Sequence, residues 1–185
     1  MIFASNNQGK IKEIKSILKD YEIISLKEAN ISIEVEEDGQ TFYENALKKA
    51  KAIYNITKQP ALADDSGLCI KELNDWPGVN THRFLGPNKT DRERNLAIIE
   101  KSKKLHSKEA EVVCILVYYD GKKVITGEGK ITGNITLSPK GENGFGFDEI
   151  FEYNNKTLAE LSSEEKNNIS ARKKAALDLL NKLNG

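Results

Sequence analysis

The first half of the chain alternates short apolar runs with longer amphipathic segments. Residues 1–5, 21–26 and 61–64 are apolar runs of the length expected for buried strands. Between the first two runs, apolar residues recur at intervals of three and four, which predicts a helix over 10–20. A further strand is predicted over 67–73. Strands that alternate with helices in this way are typical of a parallel sheet.

Two capping boxes mark further helix starts. Thr41 is followed three residues later by Glu44, and the same spacing recurs at Thr90 and Glu93. In this arrangement each side chain of the pair bonds to the backbone N–H of the other residue, which satisfies free donors of the first helical turn. Helices are therefore predicted from the two threonines to about residues 57 and 105.

The second half of the chain is richer in strands. An Asp120-Gly121 turn between two β-forming runs is a hairpin signal, and a helix is predicted from about Ser163 to the end. Parallel alternation followed by a hairpin predicts an α/β fold with a mixed sheet, in one domain over 1–185. Strands of this half are predicted over 112–119, 122–133 and 147–153.

Composition narrows the classes of partner. The 185 residues include 28 basic and 28 acidic side chains, so the formal net charge is zero, which argues against a nucleic-acid polymer as the partner. No apolar run is long enough to span a bilayer, and no charged-then-apolar leader follows Met1, so no membrane partner is expected. Cys69 and Cys114 have no metal-ligand spacing, and the pattern favours free thiols in a reducing cytoplasm over a disulfide between them.

The candidate chemistry centres on an acidic pair that directly follows an apolar run. Asp64 and Asp65, with Ser66 and Gly67 behind them, would present carboxylates in a turn at a sheet edge. Mg²⁺ prefers one or two carboxylates, with water and substrate phosphates completing its shell. The alternative is an ordinary turn capped by side-chain hydrogen bonds.

A polar loop between the first strand and the first helix is a candidate phosphate site. The segment Ser5–Lys10 places backbone N–H groups at a helix start beside a lysine ammonium, and both attract anions. It contains one glycine and is not a Walker loop, so an ordinary strand-to-helix turn is the alternative. Acidic residues 34–38 read as a solvated loop, and one of them could bind metal only if the loop folds toward Asp65.

Three further stretches carry chemistry-bearing residues. Arg83 follows a Pro-Gly turn and could reach a phosphate, although a surface ion pair is more common. The segment Gly144–Asp148 sets aromatic residues among glycines beside an acid, which suits stacking on a base and accepting ring N–H bonds. A glycine-flanked core strand is the alternative. Lys166 and Arg172 lie in a charged helical segment.

These stretches occur together in one order, and as a series they closely resemble the inosine/xanthosine triphosphate pyrophosphatase family. The resemblance runs over the whole chain. It implies an elongated α/β fold with two lobes around a nucleotide-binding cleft, a homodimer, and dependence on Mg²⁺, with Mn²⁺ as an alternative. It implies hydrolysis of ITP, dITP and XTP to the nucleoside monophosphate and pyrophosphate. The motifs that carry it are Ser5–Lys10, Thr41–Ala46, Ala63–Leu68, Pro77–Arg83, Gly144–Asp148 and Thr157–Arg172.

The resemblance also assigns roles to individual residues. Asp65 matches the catalytic acid–base and metal position, with Asp64 beside it. Glu36 matches the second metal ligand, although loop length makes Glu37 possible. Phosphate contacts are assigned to Ser5, Asn6, Asn7, Gln8, Gly9, Lys10, Ser66, Arg83 and Lys166. Base contacts are assigned to Phe145, Gly146, Phe147, Asp148, Ala171 and Arg172.

The chain departs from the family pattern at three of its positions. Ala171 stands where the family has a histidine, which puts purine discrimination in doubt more than catalysis. Glu149 replaces the usual proline, and Phe147 lacks the polar group of the usual Tyr or Trp. His82 could supply a donor in place of the histidine, but nothing in the sequence locates it at the base. The alternatives are a pyrophosphatase with broad or modified-pyrimidine specificity, and a non-catalytic nucleotide-binding regulator.

Overall fold

The computed structural model describes all residues, 1–185, and contains eight strands and five α-helices. The strands are β1 (Ile2–Phe3), β2 (Ile24–Ser25), β3 (Ala61–Ile70), β4 (Trp76–Pro77), β5 (Glu109–Tyr119), β6 (Val124–Ile135), β7 (Phe151–Tyr153) and β8 (Lys156–Thr157). The helices are α1 (Gln8–Ile17), α2 (Phe42–Thr57), α3 (Asp91–Ser102), α4 (Ser163–Ile169) and α5 (Ala171–Asn184). No helix combines the length and the apolar character needed to cross a membrane.

The strands form one mixed sheet in the order β2-β1-β3-β5-β6-β7-β8, and β4 pairs with β3. Strand β1 is parallel to both β2 and β3, whereas β7 is antiparallel to β6 and β8. The predicted mixed α/β fold is therefore confirmed. Both capping boxes are also confirmed, because Thr41 and Thr90 each exchange hydrogen bonds with the glutamate three residues on.

The structure corrects the prediction for the acidic pair. The sequence pattern predicts residues 61–64 and 67–73 as separate strands joined by an acidic turn, but Ala61–Ile70 is one continuous strand, buried along its length. Asp64 and Asp65 therefore lie inside a strand. The predicted strand 147–153 is shorter than expected, because residues 146–150 form a turn before β7 begins at Phe151.

The chain divides into two compact units. The first comprises residues 1–66, 114–129 and 170–185, and the second comprises residues 67–113 and 130–169. Strands β3, β5 and β6 each contribute residues to both units. Cys69 and Cys114 are both buried free thiols, as the sequence predicts.

The core of the first unit lies between the sheet and α2. Ala46, Ala50 and Ile53 recur along one face of α2 and are fully buried against strand residues such as Ile2 and Val117. On β6, Gly129 permits close approach to α5, because a Cβ atom there would lie 2.0 Å from the carbonyl oxygen of Ala171. This contact fixes the first turn of α5 against the sheet.

Candidate active site

The acidic pair of β3 is held by side chains from three helices of the first unit. Asp64 is 1 % exposed and accepts hydrogen bonds from Arg172 of α5 at 2.8 and 3.3 Å, with Lys10 Nζ of α1 at 3.2 Å. Asp65 is 4 % exposed and accepts a hydrogen bond from Asn45 Nδ2 of α2 at 2.9 Å. Adjacent strand residues point to opposite faces of a sheet. The two carboxylates therefore occupy different environments.

The environment of Asp64 keeps it ionised. Burial opposes ionisation, but the charges of Lys10 and Arg172 hold the pKa of the Asp64 carboxyl well below its usual range. Its Oδ1 atom is buried and has no hydrogen-bond partner. An ionised, buried oxygen without a donor suits a cation ligand, since buried acceptors are otherwise nearly always bonded.

The environment of Asp65 has the opposite effect. Burial raises the pKa of the Asp65 carboxyl, and the nearby charge of Glu37 adds to this rise against the opposing effect of Lys49. A carboxylate with a raised pKa is the better proton acceptor. Neighbouring carboxyls whose pKa values are pushed apart indicate separate acid–base roles.

The acidic loop contributes Glu37 to this cluster. Glu37 forms an ion pair with Lys49, and the charges of Asp64, Asp65 and Glu37 raise the pKa of Lys49 despite its burial. Glu36, the first choice for the second metal ligand, is exposed. No group of three or more His, Cys, Asp or Glu side chains forms a ready-made metal cluster. The Asp64 carboxylate alone still fits Mg²⁺, which binds one or two carboxylates and takes most of its shell from water and substrate phosphates.

Arg172, predicted as a base contact, lies beside the acid pair. Its guanidinium is 6 % exposed and donates to Asp64, to Ser66 Oγ at 3.2 Å and to Glu13 of α1. The preceding Ala171 is buried where α5 approaches β6. These contacts give Arg172 a clear role in orienting Asp64.

The Ser5–Lys10 loop forms the N-terminus of α1, which begins at Gln8. The Asn7 side chain caps the helix by accepting the Lys10 N–H at 3.1 Å, and Ser5 Oγ accepts the Asn7 N–H at 3.2 Å. Asn6 and Gln8 are exposed, and Gly9 is half-buried. Exposed first-turn N–H groups favour anions. Lys10 itself is buried and directed at Asp64.

The Gly144–Asp148 segment belongs to the second unit, and Lys166 of α4 lies against it. Asp148 Oδ2 accepts bonds from the Phe145 N–H at 2.8 Å and from Lys166 Nζ at 2.6 Å. The Lys166 ammonium also lies 4.2 Å from the centre of the Phe145 ring. Phe145 is half-buried, whereas Phe147 is only 9 % exposed. Lys166, predicted at the phosphates, therefore lies with the predicted base-binding residues.

The Pro77–Arg83 motif also belongs to the second unit. Arg83 Nε donates to Asn80 Oδ1 at 3.2 Å, within the turn that follows Pro77. The His82 ring lies close to Gly146, because a Cβ atom built on Gly146 would lie 3.5 Å from His82 Cε1. His82 thus lies beside the predicted base-binding segment, a position that no sequence pattern indicated.

Sequence reasoning assigned no role to three residues that hold the acid pair. These are Glu13, Asn45 and Lys49, all buried on helices of the first unit. Each interrupts the apolar face of an amphipathic helix, beside buried residues such as Ile14 and Ala46. A polar side chain on the apolar face is the signal that could have identified them.

Comparisons with known proteins identify the family of the chain. The Ham1 family model matches residues 1–182. The chain is 43 % identical over 194 residues to the dITP/XTP pyrophosphatase of Aquifex aeolicus, covering 99 % of this chain and 96 % of that protein. It is also 43 % identical over 198 residues to the protein of the same name from Clostridium perfringens, covering 100 % of this chain and 97 % of that protein. The solved structure of the Staphylococcus aureus Ham1 protein matches with a TM-score of 0.88 at 37 % identity, and the match covers 100 % of this chain and 97 % of that structure.

Proposed function

Because the chain belongs to the Ham1 family, we propose that it hydrolyses deaminated purine nucleoside triphosphates such as ITP, dITP and XTP to the nucleoside monophosphate and pyrophosphate. The observation that carries this proposal is the buried acid pair, in which Asp64 is held ionised and the pKa of Asp65 is raised. This division of properties supplies a cation ligand and a proton acceptor on adjacent residues of one strand.

Residues of the first unit perform the hydrolysis. Exposed N–H groups at the start of α1 bind the triphosphate, and Lys10 and Arg172 keep Asp64 ionised and oriented. Mg²⁺ or Mn²⁺ held by Asp64, with water and substrate phosphates in the rest of its shell, would neutralise charge on the phosphate oxygens. Water attacks the α-phosphorus and gives its proton to Asp65. The bond from the α-phosphorus to the bridging oxygen breaks, and pyrophosphate leaves.

Residues of the second unit recognise the base. Lys166 can only donate hydrogen bonds, whereas the ionised Asp148 can only accept them. Hypoxanthine and xanthine present an oxygen at C6 and an N–H at N1, which match this pair. Adenine presents an amino group and a bare nitrogen there, so both contacts would be lost. The half-buried Phe145 ring supplies a surface on which the base can stack.

The base role assigned to Arg172 stays a prediction, because its hydrogen bonds go to the acid pair. Two further properties implied by the family resemblance also stay predictions. One is a homodimer, for which light scattering should give twice the 20.7 kDa mass of the chain. The other is a cytoplasmic location, which cell fractionation would test.

A substrate panel tests the proposed function. Pyrophosphate release is measured with Mg²⁺ for ITP, XTP, ATP, GTP and dUTP in parallel. We expect turnover of ITP and XTP to exceed that of ATP by roughly tenfold or more. With ATP, the two hydrogen bonds between the base and the charged groups of Lys166 and Asp148 would be lost. Equal turnover of all five would indicate broad specificity, and fastest turnover of dUTP a pyrimidine enzyme. No release from any nucleotide would indicate a non-catalytic regulator.

A further inference from the structure

Both polar backbone atoms of Gly146 are held by one face of α3. The Gly146 N–H donates to Asp91 Oδ2 at 3.0 Å, and the Gly146 carbonyl accepts from Asn95 Nδ2 at 2.8 Å. Asp91 and Asn95 are four residues apart, so they lie on the same side of the helix. We call these two residues the loop clamp.

The loop that the clamp holds has little rigidity of its own. Gly141, Gly144 and Gly146 all have positive φ angles, of 83°, 79° and 64°. Glycine loses more conformational freedom than any other residue when it is fixed. External contacts must therefore select one loop conformation. Lys166 of α4 holds Asp148, which in turn accepts the Phe145 N–H, and the clamp holds the backbone of Gly146.

The burial and the hydrogen bonds of Asn95 indicate that its role is to hold the loop. It is 2 % exposed, and the same Nδ2 atom that bonds Gly146 also donates to Glu149 Oε1 at 2.9 Å. The second oxygen of Glu149 accepts from Arg92 Nη1 at 2.7 Å. A buried amide is costly unless its hydrogen bonds are made, and here both donated bonds go to the Gly146–Glu149 segment. Phe145 directly precedes that segment, and Asp148 lies within it.

We propose that Asp91 and Asn95 are positioning residues for base recognition, which presupposes the proposed function. By fixing the backbone of Gly146 on both sides of its Cα they set the direction of the Phe145 ring and of the Asp148 carboxylate toward the base. Both residues belong to the second unit, whereas the acid pair belongs to the first. Loss of the clamp should therefore weaken binding of the correct base and leave the hydrolytic step unchanged.

The test compares Asn95→Leu, which keeps the branched shape of the side chain and removes both donated bonds, with the wild type. The KM for ITP should rise roughly tenfold, because loop residues must then be ordered on binding. The kcat should stay within about twofold, and the preference for ITP over ATP should narrow. Ile98→Ala is the matched control, since it destabilises the same helix from its buried core face. It should lower the melting temperature without changing the ITP-to-ATP ratio.

Asp91 provides a second test that does not depend on a buried position. Asp91→Ala should raise the KM for ITP and speed hydrogen exchange of the Gly146 amide, whereas Asp91→Asn keeps an acceptor oxygen and should restore both. An unchanged KM and ratio in Asn95→Leu and in Asp91→Ala would overturn the inference, as would an equal change of ratio in Ile98→Ala. A wild type that does not prefer ITP would instead contradict the proposed function itself.

Discussion

The same substitution should affect the stability of the fold differently at the two adjacent aspartates. Asp65→Asn and Asp64→Asn each replace one carboxylate oxygen by an amide nitrogen at almost constant volume. Asp65 is held in an environment that raises its pKa, and Asp64 in one that lowers it. Both variants should lose hydrolysis, but only one of them should lose stability.

The expected magnitudes come from the partners of each carboxylate. The Asp65→Asn variant retains an oxygen that can accept the Asn45 bond and no longer buries an ionised group, so its free energy of unfolding at neutral pH should equal or exceed that of the wild type. Asp64→Asn weakens charge-assisted bonds with Lys10 and Arg172 and should cost about 1.5–3 kcal/mol. Loss of the proton acceptor in Asp65→Asn should lower kcat by roughly 10²–10⁴-fold.

The pH dependence of stability provides a second check on the opposite pKa shifts of the two aspartates. A depressed folded pKa means that Asp64 stabilises the fold above its unfolded pKa of about 3.9, and this contribution is lost as the pH falls through the lower folded value. A raised folded pKa means that the contribution of Asp65 is lost as the pH rises through the higher folded value. The advantage of Asp65→Asn over the wild type should therefore grow as the pH rises through that value.

Urea unfolding of the wild type and both variants, at several pH values between about 3 and 8, measures these differences. Pyrophosphate release from ITP measures the rates in the same preparations. Equal destabilisation by the two substitutions would refute the contrast between the two environments. Near-normal turnover in Asp65→Asn would refute the role of Asp65 as proton acceptor.

The remaining predictions concern the supporting residues. Arg172→Ala should lower the free energy of unfolding by about 3–5 kcal/mol, because it leaves buried carboxylates uncompensated, and Glu13→Gln in the same chain should recover part of the loss in urea unfolding. Lys166→Ala should reduce the ratio of kcat/KM for ITP to that for ATP by roughly tenfold, through loss of a charged donor; an unchanged ratio would place Lys166 at the phosphates. Gly129→Ala should lower the melting temperature and the turnover together, because its Cβ would lie 2.0 Å from the Ala171 carbonyl oxygen and displace the start of α5.

Local signals predicted much of the fold. The threonine–glutamate pairs at the starts of α2 and α3 form capping boxes, and the apolar spacing along α1 matches its buried face. These features depend on residues a few positions apart. Sequence spacing reports such contacts directly. These three helices were therefore predictable in type and approximate position, whereas the break between α4 and α5 at Ser170 was not.

The strand that carries the acid pair was harder to predict, because its stability depends on distant partners. Two adjacent carboxylates inside a buried strand look unfavourable until Arg172 donates to Asp64 across a separation of 108 residues. The position of Lys166 was hard to predict for the same reason. Its partner Asp148 lies 18 residues away, and no local pattern distinguishes a base contact from a phosphate contact.

The most direct measurement follows the isotope from labelled water into the products. An equimolar mixture of ITP and ATP is hydrolysed with Mg²⁺ in H₂¹⁸O, and the products are analysed by mass spectrometry. Attack at the α-phosphorus predicts ¹⁸O in IMP, unlabelled pyrophosphate, and much slower formation of AMP. Labelled pyrophosphate, release of IDP with phosphate, or equal formation of AMP and IMP would contradict the account.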